Sequence, residues 1–507
     1  MSKSIYVIIG ILCVPFFSWS QISQPARVEI PLAREDDSYI VIPAGKDGLF
    51  LFKELERDNE GNKVIQVMRL DDSFDVQWVR TQAIGTSYEY IDHYFKDGRA
   101  YLLFNNFSAK DRNLALVTFD LLGNIQNLPI RNFIPFTYFD FNATGEAILI
   151  GGYFNYRPVV IFYNFEERIP RILPGLFNDR STIIELRIND NGTFDVLLTG
   201  RTLDKKNTIF INTFDMTGNM VKKITLDTDR FHNLLFGRSQ LMEGNAQIVA
   251  GVYGRFNSEY SRGLFVANVN QFGEQKMKFY NYAELKNFFS YMKARREKRV
   301  RDRIERRKIK GKKIKFNYRV LVHNLVESGD QYILLGEAFY PKYRNVSGSS
   351  SGSFFNPVWT VNRGLFSNSL VFDGYRYTHA VVMGFDKSGN LLWDNSFEIN
   401  DVLSFELEQF VHAATSGSNV ALLYVFDNQI RSKIIHGDEV LEGKELLDIK
   451  LKYDTDQVTG DATNVLGLEK WYDNVFFTYG TQLVKNVQVR GVEVERNVFF
   501  INKVVYE

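Results

Sequence analysis

The stretch Ala380-Val381-Val382-Met383-Gly384-Phe385-Asp386-Lys387-Ser388-Gly389-Asn390-Leu391-Leu392-Trp393 reads as strand, tight turn, strand. An Asp can accept hydrogen bonds from the backbone of the turn it opens, and Gly takes a positive φ at little cost, so the chain reverses there. Looser copies are Phe119-Asp120-Leu121-Leu122-Gly123-Asn124 and Phe214-Asp215-Met216-Thr217-Gly218-Asn219. More distant ones are Asn270-Gln271-Phe272-Gly273-Glu274 and Leu70-Asp71-Asp72-Ser73-Phe74-Asp75. A turn that recurs along a chain marks a repeat architecture.

Working outward from these turns, eight similar units emerge. Their second strands are the most visible: Gly48-Leu49-Phe50-Leu51-Phe52, Ala100-Tyr101-Leu102-Leu103-Phe104, Ala147-Ile148-Leu149-Ile150, Phe194-Asp195-Val196-Leu197-Leu198, Ala246-Gln247-Ile248-Val249-Ala250, Tyr332-Ile333-Leu334-Leu335, Val420-Ala421-Leu422-Leu423-Tyr424 and Val475-Phe476-Phe477-Thr478-Tyr479. First strands are expected near Ser38, Tyr88, Phe136, Thr182, Asn233, Tyr318, Phe405 and Asn464. The usual spacing, about 50 residues, suits one four-stranded blade. The eighth unit has three strands before the chain ends, and the alternating residues 28–32 can supply its fourth. The reading is therefore all-β: a single eight-bladed β-propeller over residues 21–507, closed by an N-terminal strand. A seven-bladed ring is the runner-up, and a pair of β-sandwiches or an open repeat array the alternative. The composition, 45% hydrophobic with 43 Phe and 26 Tyr, suits a β-rich core and argues against disorder.

Two units are longer because each carries an insertion. In the first, residues 276–317, Leu285, Phe288, Phe289 and Met292 fall at helical spacing, as do Val300 and Ile304. Residues 293–315 hold 14 Lys or Arg against three acids. The expectation is one long basic helix whose first turns pack on the ring and whose remainder projects until Gly311 ends it. The second, residues 342–375, holds a Ser/Gly run followed by Phe354, Phe355, Trp359 and Phe366, and reads as a loop whose aromatics either pack against the ring or grip a partner.

Residues 1–20 read as a secretory signal: Lys3, an apolar run from Ile5 to Phe17, then Ser18-Trp19-Ser20 before Gln21. An uncleaved anchor is the alternative, but the run is shorter than the roughly 20 residues that span a bilayer. Cys13 is the only cysteine and follows Leu12, which does not suit lipidation, so the mature chain is expected to lack disulfides. Export without disulfides fits a bacterial envelope. The formal net charge of +1 shows no overall bias toward nucleic acid or membrane.

Catalytic motifs are weak. Gly348-Ser349-Ser350-Ser351-Gly352 matches G-x-S-x-G but sits in a low-complexity loop rather than at a strand-to-helix elbow. The six histidines, His93, His232, His323, His379, His412 and His436, show no metal-ligand spacing, and His93 and His412 lie in apolar strands. Asp454-Thr455-Asp456 with Asp461 is acidic enough for calcium but breaks the EF-hand pattern. Carboxylates are abundant and scattered. No catalytic residue, cofactor or metal is assigned.

The Asp386–Trp393 stretch resembles the A-x-D-x-x-T-G-x-x-x-W repeat of pyrroloquinoline-quinone-type propellers, a repeat also found in non-enzymatic outer-membrane assembly scaffolds. Here the Thr is Ser388, or Thr217 in another copy, and Trp393 keeps the tryptophan. The resemblance implies architecture rather than dehydrogenase activity. The Phe/Tyr/Asn-rich composition and the leader ending in Ser-Gln look like envelope proteins of the Bacteroidota, which implies the periplasm or the periplasmic face of the outer membrane. The expected function is non-catalytic protein binding, for instance as an accessory or plug subunit of an outer-membrane channel such as the type IX secretion translocon. Arg295, Arg296, Arg299, Arg303, Arg306 and Arg307 would pair with an acidic protein surface or anionic lipid, and Phe354, Phe355 and Trp359 would be buried anchors. Nucleic acid is not expected as a partner of an exported chain. The alternative is a glycan-binding or glycan-processing propeller with a site in its central channel.

Overall fold

The computed structural model describes residues 21–33, 38–106, 113–131, 134–177, 181–255, 258–312, 314–346, 369–400, 402–459, 464–489 and 492–507. They form eight antiparallel sheets, each built on four strands in sequential order except the last, with two short extra strands, Val326–Ser328 and Leu403–Ser404, in the sixth. The first strands are Ile40–Pro43, Tyr88–Lys96, Thr137–Ala143, Thr182–Ile188, Asn233–Leu241, Arg319–Val322, His412–Ser416 and Asn464–Tyr472. The first strands touch one another successively from blade 1 to blade 6 and again between blades 7 and 8, which places them nearest the axis of a ring. Seven begin within two residues of the expected position. The seventh begins at His412, not Phe405, because the intervening backbone is tied to blade 6. The Glu408 N–H donates to the Tyr377 hydroxyl, and the Val411 N–H to the Glu337 carboxylate at 2.7 Å.

The hydrophobic interior is divided into eight clusters, and each lies between two neighbouring blades. Strand Arg99–Asn106 shows why. Ala100, Leu102 and Phe104 face blade 1, while Tyr101 and Leu103 face blade 3. Side chains alternate at period two, so a strand buried on both faces must be apolar at nearly every position. That is why the second strands are continuous apolar runs.

The five turns found in sequence all occupy one place, between the third and fourth strands of blades 1, 2, 4, 5 and 6. In the Asp386 turn the carboxylate accepts from the Ser388 N–H at 2.8 Å and the Asn390 N–H at 2.7 Å. Asp71, Asp120, Asp215 and Asn270 make the same pair of bonds. Gly389 has φ +75°, and in the blade 1 copy Phe74 adopts φ +69° in its place. Phe74 stacks on Trp471 of blade 8, ring centroids 5.6 Å apart, so burial offsets the strained backbone. Trp78 and Trp393 each follow their turn Asp by seven residues. Trp78 donates to the Leu121 carbonyl in the next blade's turn at 3.0 Å, and Lys222 reaches the Gln271 carbonyl in the same way at 3.2 Å. The turns of blades 1 and 2, and of blades 4 and 5, are thereby linked, and Trp78 is a second tryptophan of the repeat beside Trp393.

The N-terminal strand Ile22–Pro31 pairs antiparallel with Val492–Tyr506 and forms the outer strand of blade 8, as expected. Arg496 bridges Glu29 at 2.9 Å and Asp456 across this seam. Arg27 lies 4.6 Å over the Phe500 ring and donates to Gln482 at 2.7 Å. Trp471 Nε1–H donates to the Gly48 carbonyl at 2.9 Å, joining blade 8 to blade 1. Asp456 is thus engaged by Arg496 and by Asn486 at 2.8 Å rather than held ready for calcium. Asp461 lies outside the described residues.

The insertions depart from their expected bounds. The first does not start at Lys276: Gln275–Asn281 is the fourth strand of blade 5. Residues 282–293 then run as turns, not helix, since the Lys286 and Asn287 N–H groups are taken by the Asp394 carboxylate of blade 6 at 2.8 and 2.6 Å. The helix α1 is Ala294–Ile309. The second insertion is no simple loop at its base. Gln331–Val346 and Ser369–Asp386, the second and third strands of blade 6, continue as a paired ribbon well past the first strand.

Candidate docking surface and channel wall

Tyr282, Leu285, Phe288 and Phe289 are buried in the core between blades 5 and 6, where the turns at residues 282–293 form a plug. The plug carries α1 against the rim. Val300 and Ile304 pack on the same core, and Arg301, on the same face, pairs with Glu297 at 2.7 Å and donates to the Lys286 carbonyl at 2.6 Å. This i, i+3, i+4, i+7 stripe is the only half-buried face of the helix. Arg295, Arg296, Arg299, Arg303, Arg306 and Arg307 all point to solvent, and none forms an ion pair among the described residues. Gly311 closes the helix at φ +64°, with the Lys312 N–H donating to the Arg307 carbonyl at 2.9 Å.

The ribbon presents a second kind of surface. Beyond Phe339, the last residue paired to the first strand, seven residues continue to Val346, roughly 20 Å of extended chain at ~3.3 Å per residue. One face is aromatic. Phe339, Tyr343, Phe372, Tyr375 and Tyr377 form a ladder with neighbouring centroids 5.0 to 6.0 Å apart. Below this face, at the mouth of the ring, lies a cleft of about 700 Å³ walled by Phe236, Val320 and Leu407, with Arg319 and Glu259 paired at its edge at 2.5 Å. Tyr343 and Leu407 are about half exposed, and Phe405 beside them is 71% exposed. Phe354, Phe355, Trp359, Phe366 and Ser350 lie outside the described residues.

The wall of the central channel carries carboxylates that sequence alone left scattered. Asp92, Asp140 and Glu185 each follow a β-bulge in the first strands of blades 2, 3 and 4, one position shared by three blades. The signal was present as Tyr90-Ile91-Asp92, Tyr138-Phe139-Asp140 and Ile183-Ile184-Glu185, but nothing local marks a bulge. These acids are engaged. Asp92 accepts from the Tyr138 hydroxyl, and Asp92 and Asp140 each accept from the next N–H, at 2.7 and 2.9 Å. Glu185 accepts from the Ser239 N–H at 2.8 Å and hydroxyl at 2.9 Å. Arg238 donates to the Ile184 carbonyl at 2.8 Å. Burial pushes the Asp140 carboxyl up to about 6; the Phe141 N–H opposes this, and the negative Asp92 adds to it. Burial likewise raises Glu185, against the pull of Arg238 and Arg187.

The histidines divide. His93 bonds the Tyr90 hydroxyl at 2.6 Å and His323 the Glu337 carboxylate at 2.8 Å. Burial pushes His379 and His412 down to about 3. His379 stacks on Tyr291 of the plug with centroids 3.6 Å apart, and its Nε2 is buried with no hydrogen-bond partner. Among the described residues no group of three His, Cys, Asp or Glu is arranged to hold a metal ion.

Ring, blade-to-blade cores and closing strand define the chain as an eight-bladed β-propeller. No protein-family model matches it, and no curated protein does. Among solved structures it is similar to the β-propeller domain of the Trilobed protease from Pyrococcus furiosus, at 10% identity over 80% of this chain and 97% of that one, TM-score 0.37. It is similar also to the Dos1 propeller, at 10% identity over 83% and 92%, TM-score 0.37. A prolyl endopeptidase is matched at 10% identity, TM-score 0.39, and there the chain covers 82% of itself but spans half the length of the other. At such values the likeness is one of shape, and the fold rests on this chain's own strand pairing.

Proposed function

We propose that this propeller is a non-catalytic docking platform that binds an acidic protein partner through α1 and the blade 6 ribbon. The observation that carries the reading is the orientation of six arginines to solvent without ion pairs, on a helix whose inner face is pinned to the ring. Uncompensated exposed charge adds nothing to the fold and suits long-range steering of an opposite surface. Two of the channel acids, Asp92 and Glu185, in contrast, accept bonds that stitch adjacent blades together. With the secretory leader read in sequence, the setting proposed is the periplasm or the periplasmic face of a bacterial outer membrane. The finer form of the proposal is an accessory or plug subunit of an outer-membrane channel such as the type IX secretion translocon.

The test is a variant with all six arginines changed to Ser, expressed with its leader and purified from envelope extracts. The melting temperature should stay within about a degree, because these exposed side chains form no ion pair among the described residues, while co-purifying protein is lost. Undiminished recovery of the partner sinks the reading. Binding that transfers to anionic vesicles, with no protein captured, replaces the protein partner by lipid.

One observation favours a second reading. Asp140, with its carboxyl near 6 beside Asp92 and Tyr138, offers a proton donor on the channel wall, as a glycan-processing site would need. Oligosaccharide cleavage or binding that disappears in Asp140→Asn would support it; no interaction with envelope glycans would remove it.

A further inference from the structure

The cleft under the ribbon opens where the cores between blades 4, 5 and 6 reach the surface, and its shape and chemistry specify an occupant. We propose that it seats an aromatic side chain from an extended acidic segment of the partner protein, which then runs on toward α1. This deepens the docking reading above and rests on it.

Three features choose the occupant. The roof is the aromatic face of the ribbon, with Tyr343, Phe372 and Tyr375 above Phe236 and Leu407. A cleft of about 700 Å³ falls within the ~300–1,000 Å³ of sites that enclose a drug-sized group. An aromatic anchor buried there would meet the rings of Phe236, Phe339, Tyr343, Phe372 and Tyr375 and gain by both area and geometry.

The edge carries positive charge that an incoming carboxylate can claim. Arg319 lies 4.9 Å over the Tyr260 ring and is largely covered, whereas its partner Glu259 is 80% exposed. A pair with one partner in open solvent contributes little, so exchange of Glu259 for a carboxylate brought in by the partner costs little. From there a chain of contacts leads toward the helix, beginning at the buried Ser261. Ser261 lines the cleft and bonds the Tyr318 carbonyl at 2.8 Å, Tyr318 meets the Tyr291 hydroxyl at 3.4 Å, and Arg296 lies close enough to act on both phenols. An acidic run leaving the cleft therefore meets the unpaired arginines of α1.

The mode is side-chain capture rather than strand addition. Pro341 stands on the ribbon strand that borders the cleft, just past the point where the first strand stops pairing. Its ring leaves that edge without one N–H donor, which blunts it against a further strand.

The experiment selects binders to the full chain from a displayed library of random twelve-residue peptides. A counter-selection uses the double variant Tyr343→Glu, Leu407→Glu. Both positions are about half exposed, so the variant keeps the wild-type melting temperature. The expected result is a consensus with an aromatic residue flanked by Asp or Glu, binding the double variant at least tenfold more weakly. The same peptides should lose affinity for the six-arginine variant and show a steep salt dependence. Peptides lacking the aromatic residue or the acids, equal binding to the double variant, or no enrichment at all would overturn the cleft assignment. If the partner is still captured in an arginine-dependent way, the docking reading survives that failure. If cleft binding holds while partner capture ignores the arginines, the docking reading fails and the cleft stands.

Discussion

Replacing Arg496 by Met should open the ring at its seam and nowhere else. Arg496 joins Glu29 of the closing strand to Asp456, and the two carboxylates are 4% and 0% exposed. Removing one partner of a buried pair costs ~3–5 kcal/mol when the remaining charge is uncompensated. Here Glu29 keeps Arg27 at 2.9 Å and Asp456 keeps Asn486, and Arg496 is itself a quarter exposed, so about 2–3 kcal/mol is expected. At ~1.4 kcal/mol per tenfold, the closing strand should open about 30- to 150-fold more often. Hydrogen exchange of peptides covering residues 21–31 and 492–506 reads this directly. Unfolding entropy of ~2 cal/mol/K per residue sums to about 1 kcal/mol/K for a ring of this size, so the melting temperature should fall by only about 2–3 °C. The pH dependence gives a second check. Burial alone would raise the Asp456 carboxyl, but the bonds from Arg496 and Asn486 outweigh it and hold it below the usual carboxylate range. A depressed acid stabilises fully above its unfolded value near ~3.9, and that contribution is lost as pH falls through the folded value. The acid-induced loosening of the seam should therefore shrink in the variant. Exchange that is unchanged at the seam, or raised equally in blades 3 and 4, would refute the latch.

Three further outcomes follow from the same structure. Phe288→Ala removes a fully buried ring from the plug and should cost about 3–5 kcal/mol, with faster exchange at residues 282–293; deleting 293–315 should cost less, since α1 buries only Val300 and Ile304 in part, and the reverse order would contradict the plug. His379 is held neutral under the Tyr291 ring, so stability should fall as pH drops from about 6.5 toward 3, by up to ~1.4 kcal/mol per pH unit from this group; His379→Phe should flatten that slope in urea melts across the range, and parallel slopes would argue against it. Gly389→Ala meets both a positive φ and the Val266 side chain 2.9 Å from the new Cβ, and should cost about 1–2 kcal/mol, whereas Phe74→Gly, which relieves the matching φ, should still destabilise by about 2 kcal/mol because the Trp471 stack is lost; a gain in stability for Phe74→Gly would show that strain outweighs burial there.

Much of the architecture is legible in the sequence because its signals are local. An Asp that binds its own turn, a Gly at positive φ, and runs apolar at every position each act within a few residues, so eight units and the closing strand can be counted without coordinates. Local signals misled where distant groups compete for the same backbone. Leu285, Phe288 and Phe289 keep helical spacing, yet Asp394, more than a hundred residues away, takes the N–H groups a helix would use, so the segment becomes a plug. The same holds for the candidate site. The density of arginine on residues 293–315 is plain in the sequence, but which arginines face solvent depends on Val300, Ile304 and Arg301 turning inward against blades 5 and 6. The channel acids and the cleft at Arg319 bring together side chains from separate blades, and the aromatic ladder joins two strands separated in sequence by an insertion. Residue order sets each strand's alternation, but only closure of the ring, by burying both faces of every sheet against its neighbours, decides which side chains meet at the axis and which are left at the mouth.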